Sequence, residues 1–231
     1  MTHNLNEIKT WIFDLDNTLY PASSNLFDQI SKNMTRYIVR ELKVNFDDAY
    51  MIQKTYFKEY GTTMRGLMKN HQIDPTDFLE FVHNIDLSII KKNNEALNQA
   101  LERLPGEKVI FTNGSKRHAE NVTSHLGIHT QFKAIFDIVD ANFTPKPEKR
   151  IYKVLLEKLN IDPFASVMVE DMARNLIPAS QLGMTTIWIK SDLEWALNGF
   201  QSKYIDYTIE DLTNWIGKTS KLISKKSNDL D

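Results

Sequence analysis

At 231 residues, with 42% hydrophobic and 25% charged side chains, the chain is long enough for one full domain and a smaller insert, and its composition is that of a folded globular protein. A formal net charge of -2 supplies no basic field for nucleic acid or an anionic membrane, so an anionic ligand must be drawn by local positive groups and the expected partners are small molecules. The absence of cysteine excludes disulfides, thiolate metal sites and cysteine nucleophiles, and agrees with a reducing, cytoplasmic setting. The start, MTHNLNEIKT, lacks the basic-then-apolar pattern of a secretion signal, and no apolar run approaches the ~20 residues that span a bilayer.

In chain order, the first predicted element is a buried strand at WIFDL, residues 11–15. Residues 22–94 then read as a helical insert: Phe27, Ile30, Met34, Tyr37 and Ile38 recur at three or four, followed by DDAYMIQKTYFKEY and PTDFLEFVHN. Beyond it, short apolar runs predict strands at KVIFT (108–112), AIFDIV (134–139), SVMVE (166–170) and TTIWIK (185–190). Helix-like segments separate them: KRHAENVTSHLG with its stop at Gly127, PEKRIYKVLLEKLN with proline at its start, and ARNLIPASQLG ending at Gly183. Alternation of this kind predicts an α/β fold, a parallel-sheet Rossmann-like core (1–21 and 95–231) carrying a helical cap (22–94) after the first strand. The polar tail KLISKKSNDLD is assigned no function.

Ligands of parallel α/β sheets sit beyond the carboxyl ends of the strands, and here those ends carry polar groups. The first carries Asp14 and Asp16, the second Thr112 and Asn113, the fourth Glu170 and Asp171, and the loop after the third carries Lys146. Any one of these has a structural explanation as a cap, a turn residue or a solvated lysine; their joint placement on successive strand ends favours a site. A carboxylate attacking a phosphate ester must approach another anion, at a cost of about 4 kcal/mol for unit charges 4 Å apart at an effective dielectric near 20. A magnesium ion held by Asp14, Asp171 and a backbone carbonyl would cancel that repulsion, with Lys146 as a second, fixed positive charge. Two neighbouring carboxylates are then useful because they take different tasks, one as nucleophile and one as proton carrier. The histidines, His83 included, lack the spacing of a metal site and read as surface or packing residues.

The set DLDNT, FTNG, KP and ED(x3)N, in this order, resembles the four motifs of the haloacid dehalogenase superfamily. Residue by residue, the resemblance implies that Asp14 is the nucleophile forming an aspartyl-phosphate and Asp16 the general acid and then base. It implies that Thr112 binds phosphate with the neighbouring Asn113, that Lys146 steadies nucleophile and phosphate, and that Asp171 completes a Mg2+ site beside Asp14 and the backbone carbonyl of Asp16. Asn175 matches a position that supports this site from behind. The dehalogenase branch is disfavoured because it lacks the second acidic residue that Asp16 supplies.

A narrower resemblance runs along almost the whole chain. FDLDNTLYP, YGTTMRGL, DPTDFLEFVH, FTNGS(x2)HAENV, FDIVDANFTPKPE and EDMARNLIPA together look like the pyrimidine 5'-nucleotidase group of that superfamily, with Met172 where many relatives have serine. This implies a small phosphorylated metabolite, a pyrimidine nucleoside monophosphate, as substrate, with Arg65 of the cap reaching the leaving group. A phosphatase or phosphomutase for a sugar phosphate or phosphoglycolate stays open as the alternative, and a catalytically silent phospho-ligand-binding regulator as a more distant one.

Overall fold

The computed structural model describes residues 5–191, 194–197 and 199–219; the tail KLISKKSNDLD lies outside them. Six strands form one sheet: β1 (Thr10–Phe13), β2 (Glu107–Phe111), β3 (Ala134–Phe136), β4 (Ser166–Glu170), β5 (Thr185–Ile189) and β6 (Tyr207–Ile209). Their order is β3-β2-β1-β4-β5-β6, and every neighbouring pair is parallel. Strands β1, β4 and β5 are buried throughout, which is why they stand out as unbroken apolar runs. The edge strand β6 is three residues long and only partly buried, too weak a pattern to be anticipated. The third strand stops at Phe136, short of the predicted 139. Asp137 Oδ1 there accepts the backbone N–H groups of Val139 and Asp140 and its Oδ2 accepts that of Lys116, turning the chain out of the ladder.

After β1 the chain forms α1 (Leu26–Leu42), α2 (Phe46–Tyr60), α3 (Thr63–His71) and α4 (Pro75–Val82), ahead of a further helix that precedes β2. Local chemistry sets their starts: Asn45, Thr62 and Asp74 each accept a backbone N–H of the first turn, and Pro75 occupies the first position of α4. The inward stripe, Ile30, Tyr37, Ile38, Ala49, Met64, Leu67, Phe78 and Val82, gathers into a cluster of its own joined by Ile138 of the sheet domain. Close approach of α2 and α3 depends on Gly66, where an added Cβ would lie 2.4 Å from the Tyr56 side chain. Gly66→Ala is therefore expected to cost about 1–3 kcal/mol by overpacking, read as a lower Tm, with the sheet domain's own contacts unaffected.

The sheet is covered by α5 (Glu95–Glu102), α6 (Lys116–Leu126), α7 (Lys149–Leu159), α8 (Ala173–Leu182) and the short α9 (Glu194–Leu197). Alternation along the strands divides the core: Trp11, Phe13, Ile110 and Val169 pack with Leu101 and Val122 in one cluster, while Ile12, Val109, Phe111 and Met168 pack with Tyr152 and Leu176 in the other. Because the chain builds β2 and β3 on one side of β1 and β4 to β6 on the other, the winding reverses at β1. That reversal opens a crevice beyond the carboxyl ends of β1, β2 and β4. Among the described residues, no helix is long and apolar enough to cross a membrane.

Candidate active site

Asp14 leaves the end of β1 into this crevice, its backbone N–H still bonded to Val169 O at 2.9 Å. Its Oδ1 lies 2.6 Å from Lys146 Nζ and its Oδ2 accepts from Thr18 Oγ1 at 3.0 Å. The Lys146 ammonium, 1% exposed, also donates to Phe111 O and to Glu170 Oε2, both at 2.8 Å, so three donors meet three acceptors. Burial alone would lower the pKa of this lysine, but Asp14 and Glu170 outweigh it and hold the group charged. Asn113, expected at the phosphate, accepts the Lys146 backbone N–H at 2.8 Å; its carboxamide oxygen thus fixes the lysine loop.

Asp16 follows two residues later, in a turn where Asn17 takes the left-handed conformation (φ 61) that asparagine tolerates well. Its surroundings are separate from those of Asp14. Tyr20 OH donates to Asp16 Oδ1 at 2.6 Å and His118 Nε2 lies 2.8 Å from the same oxygen. Burial would raise the pKa of Asp16, but His118 and the Tyr20 hydroxyl hold it below the ordinary value. Two adjacent carboxylates thus sit in different environments, one against a lysine and one against a histidine and a phenol.

Asp14, Glu170 and Asp171 form a buried group whose carboxylate oxygens lie within 4.8 Å of one another. Among the described residues one cation, Lys146, is bonded to it, and Asp171 Oδ2 and Asn175 Oδ1 are buried without a hydrogen-bond partner. Burial and the Glu170 carboxylate push Asp14 up to about 7, and burial, Glu170 and Asp14 together raise Asp171 well above its ordinary range. Excess negative charge with orphaned oxygens fits an oxygen-liking divalent cation. Asn175 Nδ2 donates to Glu170 Oε2 at 3.1 Å, and Trp188 Nε1 donates to Asp171 O at 2.8 Å, so the cluster is braced from behind.

These shifts carry a stability signature. Asp14 and Asp171 keep protons in the folded state that the unfolded chain releases near 3.8, so the stability they contribute is present at low pH and lost as pH rises, for Asp14 through about 7. With divalent cations removed, the Tm should fall between about pH 5 and about pH 8, and Asp171→Asn should flatten that fall. Added magnesium should raise the wild-type Tm more at the higher pH and leave Asp171→Asn nearly unmoved. A wild-type Tm indifferent to magnesium at the higher pH would count against the cation site.

Of the other expected residues, Thr112 is buried at the end of β2, where its Oγ1 accepts the Gly114 N–H at 2.9 Å. Arg65, on α3, makes no hydrogen bond to the Asp14 cluster; it pairs with Glu148, the residue before α7, at 3.2 Å. It lines a cavity of about 500 Å³ with Tyr60, Gly61 and Lys69 from the segment around α2 and α3 and Lys146, Glu148 and Arg174 from the segments after β3 and β4. Arg174, one residue before Asn175, donates to Gly61 O at 3.1 Å and lies over the Phe57 ring.

The reading of the histidines as surface or packing groups misses what two of them do. His118 is 2% exposed and bonded to Asp16, and His83 stacks on it with ring centroids 4.2 Å apart. Burial and the nearby His118 push His83 down to about 3, so its ring is neutral. The available signals were position rather than spacing: His118 sits in the first turn of the helix after the β2 strand end, and Tyr20 one helical turn after Asp16. Glu170 was visible at a strand end, without a role.

The chain matches the haloacid dehalogenase-like hydrolase family model over residues 8–183. It is 29% identical over 76% of its length to the Saccharomyces cerevisiae protein named Phosphate metabolism protein 8, of which the match spans 60%. The Pyrococcus furiosus protein named Glyceraldehyde 3-phosphate phosphatase is 26% identical over 90% of this chain and 91% of its own. Among solved structures, a HAD phosphatase from Thermococcus onnurineus is similar with a TM-score of 0.60 at 20% identity, covering 94% of this chain and 98% of that one. An L-2-haloacid dehalogenase from Xanthobacter autotrophicus is similar at 0.55 and 15% over the same shares.

Proposed function

The chain belongs to the haloacid dehalogenase-like hydrolases, and from that premise we propose that it is a magnesium-dependent phosphomonoesterase acting through an aspartyl-phosphate. The observation that carries this reading is the division of labour between Asp14, paired with Lys146, and Asp16, held apart by Tyr20 and His118. A dehalogenase needs no second acid beside its nucleophile; ester cleavage needs a proton for the leaving oxygen and a base for water.

In the proposed reaction Asp14 attacks phosphorus, the phosphorus–oxygen bond to the leaving group breaks, and Asp16 gives that oxygen its proton. Water then attacks the phosphoryl group on Asp14, with Asp16 taking the proton and the Asp14 carboxylate released as free phosphate leaves. His118 and Tyr20 hold Asp16 ionised before substrate binds, so the proton it delivers enters with the phosphate monoester, and it is carried on Oδ2 because both bonds fall on Oδ1. Lys146 keeps Asp14 in place; the Thr112 hydroxyl and the backbone N–H groups beyond Asp14 and Thr112 take the phosphoryl oxygens. A magnesium ion bound among Asp14, Asp171 and the Asp16 carbonyl, with Asn175 behind, would neutralise the approach of two anions.

For the substrate we propose a nucleoside 5'-monophosphate, with pyrimidine (UMP, CMP, TMP) preferred, hydrolysed in the cytoplasm. The support for this reading is the cavity in which Tyr60, Arg65 and Lys69 of the insert face the Pro145–Glu148 loop that bears Lys146. A second reading, a small sugar phosphate, is favoured by the archaeal relative's name and full-length match. Turnover across nucleoside monophosphates, sugar phosphates and phosphoglycolate decides between them. A higher kcat/KM for glyceraldehyde 3-phosphate or phosphoglycolate than for every pyrimidine nucleotide would remove the nucleotide reading. Arg65→Ala is expected to lower kcat/KM for the nucleotide more than for a simple aryl phosphate, because the aryl ester has no base or ribose to contact. Equal losses would assign Arg65 to phosphate binding or to its pairing with Glu148.

A further inference from the structure

The cap reaches the acid–base carboxylate through two stacked histidine rings. His83, at the end of α4, lies parallel to His118 (6°, centroids 4.2 Å apart), and its Nδ1 is 3.0 Å from Ser115 Oγ. Ser115 is the N-cap of α6 and its Oγ accepts the His118 backbone N–H at 3.3 Å, so the hydroxyl that meets the cap also starts the helix that presents His118. His118 Nε2 in turn holds Asp16 Oδ1 at 2.8 Å, opposite the Tyr20 hydroxyl at 2.6 Å. Space for this stack depends on the loop before α6. A Cβ at Gly114 would lie 3.2 Å from Thr112 Oγ1, 3.3 Å from His118 Cδ2 and 3.6 Å from His83 Nε2, so the rings rest directly on the loop expected to hold phosphate.

We propose that His118 is a positioning residue that aims Asp16 at the leaving-group oxygen, and that His83 of the cap completes the setting by pinning the His118 ring. The inference rests on the phosphatase reading and adds what neither the family nor the reaction specifies: a contact through which the cap's seat on the phosphate loop governs the orientation of the proton carrier. Tyr20 bonds the same oxygen from the chain segment next to Asp16, and two bonds fix a carboxylate's rotation where one leaves it free to swing. Loss of either ring should therefore weaken proton delivery while leaving Asp14, Lys146 and the acidic cluster intact.

Leaving groups provide the test. An alkyl phosphate depends on protonation of a basic oxygen, whereas an aryl phosphate with an acidic phenol leaves with little help. In rapid-quench single turnovers, His118→Ala should slow phosphoryl transfer from the alkyl ester about 10²-fold more than from the aryl ester, the scale of a misplaced catalytic group, while the later hydrolysis, in which Asp16 is the base for either ester, slows equally. His118→Gln, which still offers an N–H donor, should recover part of the alkyl activity. His83→Ala should show the same selectivity more weakly, and His83→Phe, which keeps a flat ring, should restore most of it. Because His83 lies at the cap boundary, its variants carry the test if His118→Ala fails to fold. Equal losses on both esters in the transfer step, or no loss in either histidine variant, would overturn the inference while leaving the phosphatase reading standing. A wild-type protein inert toward both esters would overturn both.

Discussion

Asp14→Asn is expected to bring phosphate-ester turnover down to background, a fall of about 10³-fold or more, as loss of an attacking group leaves only the binding groups' residual catalysis. The substitution is nearly isosteric, and its carbonyl oxygen can still face Lys146 Nζ, which keeps its bonds to Phe111 O and Glu170 Oε2. The fold should persist, since Asp14 is a buried carboxyl already pushed up to about 7, and removing its charge relieves repulsion from Glu170 and Asp171. Steady-state turnover of an aryl phosphate, alongside a melting curve, measures both effects. A folded variant free of deamidation that kept more than a few per cent of activity would show that another group attacks.

Asp16→Asn should act differently. An asparagine can still accept from Tyr20 and His118, so the local structure survives, but it can neither give nor take the proton. Hydrolysis of a nucleotide should fall about 10²- to 10⁴-fold, the usual worth of a positioned acid–base group. Transfer of the phosphoryl group from an aryl ester to Asp14 should be affected far less, so rapid-quench kinetics should show a burst of phenol followed by a stalled second step. Small and equal effects on nucleotide and aryl ester would take Asp16 out of the mechanism.

What the sequence made legible divides by physical cause. Buried central strands are read easily because both faces are covered and apolar side chains run without a break, as in TWIF and SVMVE. The cap helices are read from their three-and-four spacing, whereas the edge strand β6, with a partly exposed pattern, has no comparable signal. Site residues at strand ends were visible as polar groups terminating apolar runs: Asp14, Asp16, Thr112 and Asp171 all lie there. Partners that come from elsewhere in the chain were not. His118 meets Asp16 across 102 residues and His83 meets Ser115 across 32, and no local pattern announces such contacts. Asn113 was legible as a site residue but not in its work, because the bond to the Lys146 backbone exists only once β2 and the loop after β3 are folded together.

The most direct test of Asp14 as the nucleophile is to mix the Asp16→Asn protein with an aryl phosphate and magnesium, quench in acid within the burst, and map the peptides by mass spectrometry. The expected result is one phosphoryl group on the peptide containing DLDNTLY, placed on Asp14 by fragmentation and absent when Asp14→Asn is added to the same protein. A burst of phenol with no phosphoryl group on that peptide, or with the group on any other residue, would contradict it.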